Sequence, residues 1–294
     1  NLQYASVGSK TRSAAEALYC SLGRSKMKKY SRLCVVLLVV VMLGALPLLA
    51  SCKKEEAKPA RTAKIKTPDI IKEGTLKVGV NLGFAPYATK VDGEYVGYDV
   101  EVADYLAEQL GLYPEFVAVD PDQIEEKLND GTVDVVLSAP MDTSGVAVSG
   151  PYSEGGVAYY TNSSTEGSMA DVSASYPVGV QKNSVGYWKL LDAIGAENIT
   201  TYKTDSELMR DLQAGAIKYG VLDSVVGSYA QAGGSKIKLV DYVEGKSALG
   251  IASASGKKTL SGKIDEIMKS GTTTSLFESL NRKWLSAAQQ NTSE

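Results

Sequence analysis

The residues of this 294-residue chain best suited to chemistry stand at the ends of short apolar runs. Val133 to Leu137 is such a run, β-branched in type, and predicts a strand covered on both faces by helices. It passes directly into small and polar residues, Ser138 to Ser144, among them Met141, Asp142 and Thr143. Ligands of open α/β sheets lie beyond the carboxyl ends of the strands, so this tail is a candidate binding edge. Asp223 closes a second run, Tyr219-Gly220-Val221-Leu222. A carboxylate there is charge-matched to a cation, and exclusion of water strengthens such a pair; the same residue equally suits the cap of a following helix. Asn183-Ser184 follows a third run, Val178-Gly179-Val180-Gln181. Amides at a strand-to-helix turn receive anions, and the same residue types serve as a plain N-cap.

The composition removes other chemistries. The chain contains no histidine, which excludes Ser-His and Cys-His nucleophile arrangements and the commonest metal ligand. Its three cysteines, Cys20, Cys34 and Cys52, all precede the stretch that could fold as a domain, so no disulfide framework or thiolate metal site is expected there. A net charge of −3, without a basic patch interleaved with aromatics, argues against nucleic acid. No cofactor and no metal are implied.

The elements that must position these residues alternate. Strand 76 to 80 is followed by helix 99 to 110, where Val102, Leu106 and Leu110 recur every fourth residue and Gly111 supplies a stop. Strand 115 to 119, helix 122 to 130 and strand 133 to 138 come next. Near Tyr159-Tyr160-Thr161 the chain is expected to cross to a second lobe, with strand 178 to 181, a helix from Ser184 to Ile194, a helix opened by the capping box Thr204-Asp205-Ser206-Glu207, and the strand ending at Asp223. After Ile237 to Val240 the chain returns with Leu249 to Ala252. Two terminal helices follow, one carrying Leu260, Ile264 and Ile267, the other Leu276, Leu280 and Trp284. Alternation of this kind predicts an α/β protein with mainly parallel sheets flanked by helices.

Ahead of this domain the pattern changes. No methionine precedes Met27, and residues 1–26 read as a miscalled or non-native leader. Lys28, Lys29 and Arg32 form a basic segment before the apolar run Leu33 to Ala50, the pattern of a signal peptide over 27–51. Leu49-Ala50-Ser51-Cys52 is similar to a lipobox, which implies cleavage before Cys52 and a lipid on it; an uncleaved anchor is the alternative. Either places the remainder outside the cytoplasm. Residues 52–68 are charged and apolar-poor and read as a flexible tether.

Gly97-Tyr98-Asp99-Val100-Glu101-Val102, with Leu106, Ala107 and Leu110, resembles the signature helix of the bacterial extracellular solute-binding proteins of family 3, the polar amino acid receptors of ABC importers. The spacing to Leu76–Asn81, to Phe84-Ala85-Pro86-Tyr87 and to Ser149-Gly150-Pro151-Tyr152 resembles the same family. The resemblance implies a type II periplasmic-binding-protein clamshell with two hinge crossings, lobe 1 from 69–163 plus 243–294 and lobe 2 from 164–242. It also implies a ligand cleft that closes on a small polar solute, and an ABC permease as partner for a monomeric receptor. Carried over by position, it implies ligand contacts from Asn81, Phe84, Ser138, Met141, Asp142, Thr143, Asn183, Ser184 and Asp223, with Asp223 holding an ammonium group and Tyr87 packing.

The chain departs from that pattern at one point. Such receptors usually hold the α-carboxylate with an arginine shortly after the position of Thr143, where a planar fork makes two charge-assisted bonds. Here Thr143-Ser144-Gly145-Val146 contains none, and no arginine occurs between Arg61 and Arg210. A threonine common after the position of Ser184 is replaced by Val185. The expectation is therefore an importer receptor, either for an amine, with Asp223 and Asp142 as counter-charges, or for an amino acid whose carboxylate rests on Lys182 and the Asn183-Ser184 amides. The alternatives are a dehydratase-like enzyme using Asp142 and Asp223 as an acid/base pair, and a solute sensor without a transport role.

Overall fold

The computed structural model describes residues 60–168 and 177–286. The leader, the signal segment and Cys52 lie outside them. The described residues belong to one unit that begins at Ala60. Among the described residues no helix is long and apolar enough to cross a membrane.

Strands β1 (Thr75–Val80), β4 (Tyr113–Ala118) and β5 (Val135–Pro140) run parallel. Helix α1 (Tyr98–Leu110) covers one face and α2 (Ile124–Asn129) the other. The two-sided burial read in the apolar runs appears residue by residue. Leu76, Val78, Val80, Val135 and Leu137 enter the core beneath α1, while Val136 and Ala139 enter the core beneath α2. Each such buried aliphatic side chain contributes about 1.5–3 kcal/mol. The hairpin strands β2 (Thr89–Val91) and β3 (Glu94–Val96) form a small separate sheet before α1. Gly97, which precedes α1, has φ +139°, and a Cβ there would lie 2.2 Å from the Tyr87 carbonyl oxygen, so only glycine fits.

The second group of strands is β7 (Val178–Gln181), β8 (Ile199–Tyr202) and β9 (Tyr219–Asp223), again parallel. Helix α3 (Val185–Ile194) lies on one face, and α4 (Asp205–Ala214) and α5 (Ser224–Ala232) are the other helices of this group. At α4 the Thr204 hydroxyl accepts from the Glu207 amide at 3.2 Å, as a capping box requires. The reciprocal bond moves one residue back: Glu207 accepts from the Lys203 amide at 3.2 Å.

Two long antiparallel strands join the groups, β6 (Val146–Asn162) and β10 (Ile237–Ala254), giving the sheet order β4-β1-β5-β10-β6-β9-β7-β8. Ile237–Val240 and Leu249–Ala252 are thus two ends of one strand, whose register shifts between Val243 and Lys246. Val157 to Tyr160 pair with β9 and pack in the second lobe's cores, so the crossing precedes the expected Tyr159–Thr161 and lies near Ser153 to Gly156. Helices α6 (Lys258–Met268) and α7 (Gly271–Leu280) return to the first lobe.

The expected tether is shorter than 52–68. The Lys64 amide donates to the Leu110 carbonyl at 2.8 Å, Ile65 is buried in the first lobe's core, and Arg61 lies 4.7 Å from the centre of the Tyr113 ring. Residues 61–65 are therefore part of lobe 1, because alternate apolar positions in this charged segment find the groove beside α1. The expected helix 122–130 is likewise shorter: Pro121 fixes a 3-10 turn through Gln123, and α2 begins at Ile124.

Candidate functional site

Where the two lobes face each other, the strand ends enclose a cavity. Lobe 1 contributes Asn81 after β1, Phe84 in the loop that follows, and Ser138 in β5. Lobe 2 contributes Gln181 at the end of β7, Ser184 and Val185 at the start of α3, and Asp223 at the end of β9. Its space is about 50 Å³, room for a few water-sized groups at roughly 10–15 Å³ each. A second, larger cavity of about 280 Å³ adjoins it, sharing Pro121 and Pro140 and lined also by Asp142, Thr143, Asn183 and Trp188.

Asp223 caps a helix and lines the cavity at the same time. As N-cap of α5 its carboxylate accepts from the Val225 amide at 2.8 Å, and it also accepts from the Ser247 hydroxyl at 2.9 Å while lining the cavity. Burial pushes its carboxyl up to about 6, against the pull of those hydrogen bonds. Asp205, at the start of α4, is also buried; burial and the nearby Asp223 charge push it up to about 8. Gly155 makes room for the Asp223 carboxylate, since a Cβ there would stand 3.1 Å from one of its oxygens.

Ser138 is held from behind. Its hydroxyl donates to Asp99 at 2.6 Å, its amide donates to the Tyr152 hydroxyl at 2.6 Å, and Tyr152 in turn donates to Asp99 at 2.7 Å. Burial raises Asp99 to about 6. Ser138 has φ +52°, an uncommon conformation for a residue other than glycine, and the two bonds around Asp99 fix it there. With its proton committed to Asp99, the Ser138 oxygen presents lone pairs to the cavity. Phe84 stacks on buried Tyr87 at 4.8 Å between ring centres, so it both lines the cavity and caps the lobe's aromatic core.

The lobes touch across this cavity. The Asn81 side-chain amide donates to the Gln181 side-chain oxygen at 3.3 Å, and Gln181 donates to the Lys203 carbonyl at 2.9 Å. Gly83 lies against Thr204, with no space for a Cβ. On the rim, Lys203 pairs with Asp120 at 3.3 Å and Lys182 with Asp122 at 3.8 Å. Exposed pairs of this type contribute about 0–1 kcal/mol each.

Of the nine positions named from sequence, Asn81, Phe84, Ser138, Ser184 and Asp223 meet in the small cavity. Asp142, Thr143 and Asn183 line the larger neighbour, where the Thr143 hydroxyl also closes a turn onto the Pro140 carbonyl at 2.7 Å. Met141 lines neither; its sulfur packs over Gly250, because β5 runs on to Pro140 and turns the side chain into the strand pair. Lys182 points to the rim rather than into the cavity, which removes it as a carboxylate holder in this arrangement. Asp142 and Asp223 belong to different cavities, so the structure does not assemble the acid/base pair. Gln181 joins the cavity without having been expected there from sequence; its signal is a lone polar residue closing the apolar strand Val178–Gln181.

Comparison with known proteins supplies the wider context. The family model of bacterial extracellular solute-binding proteins, family 3, matches residues 76–287. The L-cystine-binding protein TcyJ of Escherichia coli (strain K12) is 24% identical over 226 residues, covering 73% of this chain and 84% of that protein. A histidine-bound ABC uptake transporter substrate-binding protein from Streptococcus pneumoniae superposes with a TM-score of 0.66 at 23% identity, covering 72% of this chain and 92% of the other. An ancestral arginine-binding protein bound to arginine gives 0.63 at 28% identity over 72% and 98%. The ancestral amino acid-binding protein AncCDT-1, a precursor of cyclohexadienyl dehydratase, gives 0.66 at 24% identity over 74% and 98%. With the two-lobed sheet, the cleft between strand ends and a family match across both lobes, this chain belongs to the bacterial extracellular solute-binding proteins, family 3.

Proposed function

We propose that the protein is the substrate-binding lipoprotein of an ABC importer, anchored outside the cytoplasmic membrane through Cys52 and active as a monomer. It captures a small polar solute, an amino acid or a related amine, between its lobes and presents the closed form to a permease. The observation that carries this reading is the cavity itself, with Asn81, Phe84 and Ser138 from one lobe facing Gln181, Ser184 and Asp223 from the other. A ligand touching both lobes binds the closed arrangement better than any open one, and that difference in affinity drives closure. The crossing strands β6 and β10, with Gly155-Gly156 and the register shift after Val243, give the lobes a place to bend. The cystine-, histidine- and arginine-binding relatives support a solute of amino-acid size, which is larger than the 50 Å³ cavity and so also needs the adjoining 280 Å³ cavity or an opening of the lobes. We read the protein as a binder, and the separation of Asp142 and Asp223 into two cavities supports that reading over a dehydratase that would pair them.

The test is a thermal-shift screen of the full chain in mild detergent against amino acids, small amines, sugars and short peptides. A ligand at about 100 times its Kd adds roughly 2.7 kcal/mol, which moves the midpoint of a domain this size by about 5 °C or more. A shift with one class, absent in Asp223→Asn, supports the reading. No shift with any class overturns it.

A further inference from the structure

The cavity between the lobes holds one carboxylate, that of Asp223, and faces it with the hydroxyl oxygen of Ser138 from the other lobe. Among the residues lining it, Asp223 carries the only formal charge. Its oxygens already accept from the Val225 and Val226 amides and the Ser247 hydroxyl, and a carboxylate with about four acceptor sites keeps room for a further donor. Ser138 offers only an acceptor, because a carboxylate cannot donate and the Ser138 proton is therefore committed to Asp99. The side-chain amides that could meet an anion each give one of their two hydrogens away, and the Ser184 hydroxyl, which accepts from the Tyr187 amide, keeps its own proton. The Asn81 amide group gives a hydrogen to Gln181, and the Gln181 amide group gives one to the Lys203 carbonyl. The two lysines adjacent in sequence to these residues, Lys182 and Lys203, pair with Asp122 and Asp120 on the exposed rim.

We infer that the solute is a small protonated amine without an α-carboxylate, its ammonium group held between Asp223 and the Ser138 oxygen and its apolar part against Phe84, Val157 and Leu249. This rests on the reading of the cleft as a solute site and narrows the class of solute. An ammonium supplies the donors that Asp223 and Ser138 lack, and pairing with Asp223 offsets the cost of that buried charge. A carboxylate entering with it meets the Ser184 hydroxyl and the amide end of α3 at Val185 and Gly186, neither of them a full positive charge, and no basic side chain among the lining residues.

The experiment is calorimetric titration of the full chain in mild detergent with matched pairs that differ only by the α-carboxylate: putrescine against ornithine, cadaverine against lysine, agmatine against arginine. The expected result is at least one amine binding about tenfold or more tighter than its amino acid, since an unmatched buried carboxylate costs at least that much. Equal or tighter binding of the amino acids overturns the inference and assigns the carboxylate to the α3 amides, while leaving the solute-binding reading intact. Failure of both members of every pair, together with a blank screen against sugars and peptides, overturns the solute-binding reading itself.

Discussion

Replacing Asp223 by asparagine should remove ligand binding and at the same time stabilise the ligand-free protein. The Asp223 carboxyl is raised from 3.8 to about 6 by burial. At roughly 1.4 kcal/mol per pKa unit, holding it ionised in the folded state costs up to about 3 kcal/mol. The sign follows from proton binding: the folded protein holds this proton more tightly than the unfolded chain, so stability falls as pH rises from about 4 to about 6 and is level above. Asparagine carries no charge and keeps the local bonds, since its oxygen accepts from the Val225 amide and its amide group donates to a rotated Ser247 hydroxyl. Because Asp223 keeps some surface toward the cavity, a gain of about 1–3 kcal/mol is expected at pH 7.5 and none at pH 3.5. Urea unfolding of both proteins at the two pH values reads this directly. A variant that is less stable at pH 7.5, or equally more stable at both pH values, refutes the argument that a buried charge is kept here for binding.

Three further outcomes follow from the same geometry. Affinity for a cationic solute should fall about tenfold per pH unit below pH 6, because the Asp223 carboxyl at about 6 must give up its proton to form the pair; titrations at pH 5 and 7.5 check this, and an affinity that rises on acidification contradicts it. Gly155→Ala should weaken binding severalfold with little change in unfolding midpoint, as the new Cβ presses on the Asp223 carboxylate at 3.1 Å. Gln181→Ala, which removes the bond to Asn81 across the cleft, should loosen the closed form by about 1 kcal/mol and speed ligand release about fivefold in stopped-flow measurements.

Much of this arrangement is legible in the sequence because it depends on local pattern. The period-four apolar face of α1, the β-branched run before Ser138 and the strand ending at Asp223 each appear within a residue or two of their expected place. What the sequence did not show depends on partners far along the chain. Docking of residues 61–65 requires Leu110 and Tyr113, and the length of β6 and β10 requires each to pair with the other. The site divides in the same way. Strand-end position puts Ser138 and Asp223 at the cavity, but the orientation of Met141 and Lys182 is set by Gly250 and Asp122, which no spacing rule connects to them. The Asn81–Gln181 bond joins residues 100 positions apart and becomes visible only when the lobes meet.

Whether a solute sits between the lobes on Asp223 is read at once from a crystal structure of the protein with the solute giving the largest thermal shift. The expected structure has a ligand nitrogen within about 3.2 Å of an Asp223 carboxylate oxygen, in contact with Ser138 from the other lobe. A ligand seated elsewhere, or seated in the cleft with no donor facing Asp223, contradicts it.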